Sequence, residues 1–195
     1  MASIKIEDNL PGLVYKSQDT LDPDPFSNGF NSMEDAIFWR DRACGIACAH
    51  MLINTLQHRQ ESIAALIHHG INLKAYIPNI GWSHAGLAKL LQEYGVQAIA
   101  HKLQNIQSLI EVLKQGKSAI LSVTPGLRGG SHSEKEEVFP KSGHLIIAHG
   151  WAIEKHTISD LIITDPDYEN GCSRFKMKCA LEIIDASWGK RCIIF

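Results

Sequence analysis

The chain has 195 residues, a formal net charge of −2, 45% hydrophobic and 21% charged residues. That size and balance suit a single globular domain over residues 1–195 with a substantial core, and they give no electrostatic basis for nucleic-acid or anionic-membrane partners. No apolar run is long enough to span a membrane, and Met1–Asp8 lacks the apolar core of a signal peptide. Five cysteines without framework spacing point to reduced thiols and a cytoplasmic setting.

Residues 1–33 read as an arm rich in turns. Leu10-Pro11-Gly12 turns into a short extended piece ending at Gln18, and Asp22-Pro23-Asp24-Pro25 and Ser27-Asn28-Gly29 are turn chemistry. Met33 to Trp39 leads into a helix from Cys44 to about Gln57, in which Ala43, Ile46, Ala47, His50 and Ile53 recur at three- and four-residue steps. Cys44 falls in the first turn, where unpaired N–H groups and the helix dipole favour thiolate over thiol, and Gly45 lets other groups approach the sulfur. A second helix spans Glu61 to His69 and is expected to stop at Gly70.

Asn79 to Trp82 reads as a turn, after which Ser83 caps a helix ended by Gly95. A strand from Val96 to His101, an amphipathic helix from Asn105 to Gln115 and a strand from Ser118 to Val123 follow. Thr124 to Gly143 is a long loop of the kind that forms lids over clefts. Gly143 to Trp151 and Ile158 to Thr164 are apolar strands joined by a short connection, so they pair antiparallel and bring His144 beside Asp165. His149 lies an odd number of residues from His144 and is assigned to the opposite face. An amphipathic segment from Met177 to Ser187 and a strand from Arg191 to Phe195 close the chain. Helices first and antiparallel strands after make an α+β pattern.

A cysteine at a helix start, a histidine at a strand start and an aspartate at the neighbouring strand end form a Cys-His-Asp arrangement. In such a set the imidazole moves the proton, the carboxylate orients the imidazole, and the thiolate attacks a carbonyl. Cys44 and Cys48 share a helix face, but no second cysteine pair has ligand spacing, so neither a metal nor a cofactor is expected. Cys172, Cys179 and Cys192 read as structural or exposed thiols, and His68, His69 and His132 as solvent-facing.

The ordered set Val14-Tyr15-Lys16-Ser17-Gln18, Ala43-Cys44-Gly45, Gly81-Trp82, Gly143-His144-Leu145-Ile146-Ile147 and Thr164-Asp165-Pro166 resembles papain-like cysteine peptidases. Among these it is similar to stand-alone relatives of the bacteriocin-processing peptidases, which remove leader peptides after a double glycine. The resemblance runs over roughly residues 13–195. It implies an α+β papain-like fold, with a helical part carrying the nucleophile packed on a C-terminal antiparallel sheet. It further implies Cys44 as nucleophile, His144 as base, Asp165 as orienting acid and Gln18 as oxyanion-hole amide, acting on a peptide or protein substrate. One departure stands out. In the exporter-linked peptidases the glutamine lies only a few residues before the cysteine, a position held here by Phe38. The same triad also serves acyl transfer, as in transglutaminases and phytochelatin synthases, and a non-catalytic peptide-binding module is the reading from outside enzymology.

Overall fold

The computed structural model describes residues 4–124, 143–167 and 174–195. The expected lid between Thr124 and Gly143, apart from its two ends, lies outside the described residues, as do His132, Cys172 and the expected turn at Glu169-Asn170-Gly171.

Six helices and nine strands follow in chain order among the described residues: β1 (Lys5–Asp8), α1 (Met33–Arg40), α2 (Cys44–Gln57), α3 (Ile63–Asn72), β2 (Tyr76–Ile77), β3 (Gly81–Trp82), α4 (His84–Glu93), β4 (Ile99–Lys102), α5 (Ile106–Lys114), β5 (Ala119–Val123), β6 (His144–Glu154), β7 (Thr157–Thr164), β8 (Met177–Ala180), α6 (Leu181–Ser187) and β9 (Trp188–Ile194). The main sheet runs β4-β9-β5-β6-β7-β8, with β1 added against the second half of β6, and every pairing is antiparallel. β2 and β3 form a separate small hairpin.

Both faces of this sheet are covered, which is why β5 and β6 read as nearly continuous apolar runs rather than alternating ones. Leu145, Ile147, Ile120 and Ile193 join the core built by α1–α4, including Ile46, Met51 and Leu52 of α2. Their neighbours Ile146, Ala148, Leu121 and Cys192 join a second core with Leu109 and Leu113 of α5 and Ile184 of α6. The period of two thus sorts alternate residues into two cores.

Local chemistry sets most helix ends. Ser32, Ser62, Ser83 and Asn105 each accept a backbone N–H three residues on, at the starts of α1, α3, α4 and α5. Gly95 and Gly116 leave α4 and α5 with φ of 87° and 78°. Gly70 does not end α3, which runs on to Asn72. A Cβ there would come within 2.6 Å of the Trp82 ring, so this glycine makes room for packing rather than for a turn. Four strands escape the sequence reading, among them β2 and β3 of the small hairpin, where the sequence reads only as a turn. β1 lies in the expected arm, and β8 begins the expected amphipathic segment before α6 takes over. Leu145 and Ile147 face α2, so strict alternation would send His144 to the α5 side with Ile146 and Ala148. Position at the strand end, and not face, governs where His144 goes.

Candidate active site

Cys44 is the first residue of α2 and is partly exposed. Ala43 at the cap offers no side-chain acceptor, so no capping side chain covers the first N–H groups of the helix. The carbonyl of Arg42, two residues earlier, accepts a 2.7 Å hydrogen bond from the Trp82 indole. That indole is wedged between helices. A Cβ at Gly45 would meet Trp82 Cγ and Leu145 Cδ1 at 3.0 Å and Leu87 Cδ1 at 2.8 Å, so the glycine admits packed side chains where an open approach to the sulfur was expected.

His144 stands at the start of β6, three residues before pairing with β7 begins at Ile147 and Thr164. It is 5% exposed and donates Nε2–H to Asp165 Oδ1 at 2.6 Å. The Cys44 thiol also acts on the ring, whose remaining nitrogen is Nδ1. Burial alone would lower the imidazole pKa, but the bond to Asp165 and the influence of Asp165 and Cys44 raise it. Asp165 is buried as well, yet His144, the N–H of Asp167 and Arg174 together hold its carboxyl below the usual range. The structure therefore brings Cys44, His144 and Asp165 close together, with His144 hydrogen-bonded to Asp165.

His149 takes no part in that group. It occupies a bulge in β6 and is fully buried between Asp8 Oδ1 at 2.8 Å and Thr164 Oγ1 at 3.1 Å.

Gln18 is 3% exposed, and its place depends on the arm folding back across the domain. Its N–H donates to Pro166 O at 2.8 Å, and Tyr15 donates its hydroxyl to Asp167 O at 3.3 Å. The arm thus lies along the loop that carries Asp165. Gln18 Nε2 makes a long 3.5 Å contact with Arg40 O, and its buried Oε1 has no partner among the described residues. Phe38 is 49% exposed, with the Arg42 guanidinium 4.4 Å above its ring. The residue standing where exporter-linked relatives carry glutamine faces solvent, and a glutamine from the arm lies near the end of α1 instead.

Sequence reasoning passed over Arg174, whose Nη1 lies 3.1 Å from Asp165 Oδ2 and 3.4 Å from Asp167 Oδ2. An arginine nine residues beyond Asp165 carries no local signal of this partnership. Among the described residues, His144, Asp165 and Asp167 are grouped closely enough to bind a metal, but Arg174 already lies on both carboxylates.

Several comparisons bear on this site. The model of the Peptidase_C39 like family matches residues 15–191. Among solved structures, the peptidase domain of Streptococcus ComA, a bi-functional ABC transporter involved in quorum sensing, superposes with a TM-score of 0.54 at 17% identity, covering 78% of this chain and 90% of that one. A protein described as a C39-like peptidase from Bacillus anthracis gives a TM-score of 0.55 at 14% identity, covering 79% and 88%. No curated protein matches. With nearly the whole length matched, the chain belongs to the Peptidase_C39 like family and is a cysteine peptidase of papain-like fold.

Proposed function

We propose that the protein hydrolyses a peptide bond through an acyl-thioenzyme at Cys44. The observation that carries this reading is the buried His144 ring, hydrogen-bonded through Nε2 to Asp165 and influenced by the Cys44 thiol at an uncapped helix start. His144 takes the thiol proton, and the thiolate attacks the substrate carbonyl carbon. The oxyanion that forms meets the N–H groups opening α2, with the Gln18 amide as a further donor. His144 then passes its proton to the departing amine, and the thioester remains on Cys44. Water deprotonated by the same imidazole releases the acid and restores the thiol. Asp165 stays ionised throughout and holds the ring in the tautomer that this cycle needs.

Family membership supports a peptide substrate, as does likeness to a peptidase domain that serves a transporter. Incubating the chain with leader-type peptides, followed by intact-mass analysis, tests the proposal. Two shorter peptides and a transient Cys44 adduct are expected, and both disappear in Cys44→Ala. Peptide ligated to an added amine in place of free acid would reassign the protein to acyl transfer. Binding without product would make it a peptide-binding module.

A further inference from the structure

The carboxylate behind His144 is supported from its far side by a charge that the three-residue account leaves out. Asp165 Oδ1 accepts the His144 N–H at 2.6 Å and the Asp167 N–H at 2.9 Å. Its other oxygen, Oδ2, faces Arg174 Nη1 at 3.1 Å, and the same nitrogen lies 3.4 Å from Asp167 Oδ2. Asp165 N–H donates to Arg174 O at 3.0 Å, which closes the loop and turns the arginine back onto the aspartate. The side chains of Asp165, Asp167 and Arg174 are only 2%, 1% and 13% exposed.

Two carboxylates so close in a buried site repel each other, and one of them takes up a proton unless a cation intervenes. A protonated Asp165 could not support an imidazolium at His144. A carboxylate without Arg174 could also turn either oxygen toward the ring.

We infer that Arg174 is a positioning residue: bridging Asp165 and Asp167, it keeps the Asp165 carboxylate charged and directs Oδ1 at His144. The inference rests on the proposed role of the Cys44, His144 and Asp165 group. Among the described residues, few groups face Asp165. His144 and Cys44 lie on the cleft side, Asp167 and Arg174 on its own loop, with Tyr15 from the arm and the Cys48 thiol behind. Burial pushes Tyr15 up to about 12 and Cys48 well above an ordinary thiol, so both stay neutral at working pH. Among the described residues, Arg174 is the cation that lies against both carboxylates.

The test is the pH profile of Cys44 alkylation by iodoacetamide in the full chain, read by peptide mapping from pH 4 to 9. In Arg174→Met the acid limb should move up by about one pH unit or more, the effect of removing an arginine from beside a carboxylate. Arg174→Lys, which keeps the charge, should recover most of the parent profile, a rescue that a packing role would not give. If Arg174→Met fails to fold, the double variant Asp167→Asn with Arg174→Met removes the second buried charge and is measured in its place. An acid limb superimposable on the parent, or a lysine variant shifted as far as the methionine one, overturns the inference. Alkylation needs no peptide. A chain that cleaves nothing yet shows the shift removes the peptidase reading and keeps the Arg174 role, while cleavage with an unshifted limb does the reverse.

Discussion

At the scale of single residues, the described thiols differ in what surrounds them. Burial pushes Cys179 and Cys192 up to about 11 and Cys48 well above the normal range, whereas Cys44 is partly exposed and acts on His144. Cys44 should be the fastest of these to alkylate at pH 6, and a peptide map with Cys179 or Cys192 labelled first would remove it as nucleophile. Gln18→Ala should leave that alkylation intact and lower peptide turnover by about two to three orders of magnitude, the loss typical of one oxyanion donor. Turnover at the parent rate would leave the oxyanion to the α2 N–H groups alone. Stability should depend on acid in a defined direction. Burial would raise the carboxyls of Asp8 and Asp165, but Lys176 and His149 hold the first below its ordinary value, and His144 does the same for the second. A carboxyl depressed on folding adds stability above its unfolded pKa of about 3.9 and loses it as pH falls through the folded value. The melting temperature should therefore drop below about pH 4, and more shallowly in Asp8→Asn.

Among elements, the decisive junction is where α2 and α3 meet the β2–β3 hairpin. Trp82 reaches between Gly45 and Gly70, contacts Trp39 and Tyr76 at centroid distances of 5.8 and 5.1 Å, and bonds the Arg42 carbonyl just before Cys44. Gly70→Ala opposes two effects. Replacing a mid-helix glycine favours the helix by about 1 kcal/mol. Forcing a methyl against a ring held on several sides costs about 1–3 kcal/mol. The ring has little room to yield, so overpacking should win, with a net loss of about 1 kcal/mol in denaturant unfolding and slower Cys44 alkylation as Trp82 shifts. A variant as stable as the parent would show that Trp82 is free to move.

For the whole molecule, the arm ties the two ends of the site together. Lys176 Nζ binds Asp8 Oδ2 at 2.9 Å and the carbonyls of Leu10 and Pro11, and Asn9 N–H binds His149 O at 2.7 Å. Thr164, next to Asp165, accepts the Lys176 N–H, so this fastening reaches the acid of the site. Gly150 makes it possible, because a Cβ there would run into the backbone of Glu7. Gly150→Ala should detach β1, raise hydrogen exchange along the second half of β6 and weaken turnover through the loosened Asp165 loop. Unchanged exchange at β1 and β6 would show that the strand pairing tolerates the methyl.

Local chemistry in the sequence determined the start of α2 at Cys44, the capped helices at Ser83 and Asn105, and the pairing that sets His144 near Asp165. Each follows from residues close in sequence, where capping, helix periodicity and a short connection act on their own. None of the described helices is long and apolar enough to cross a membrane. Other features depend on partners distant in the chain. Gly70 looked like a stop because its neighbour Trp82 is invisible from within α3. β1 is exposed and short, and only the edge offered by β6 makes it a strand. Gln18 lies beside Pro166 and the end of α1 because Pro166 and Arg40 receive it, and Arg174 matters because two carboxylates converge on it. Those arrangements were decided by tertiary structure, since a buried charge or amide is placed by the partners that satisfy it and not by the residues beside it in sequence.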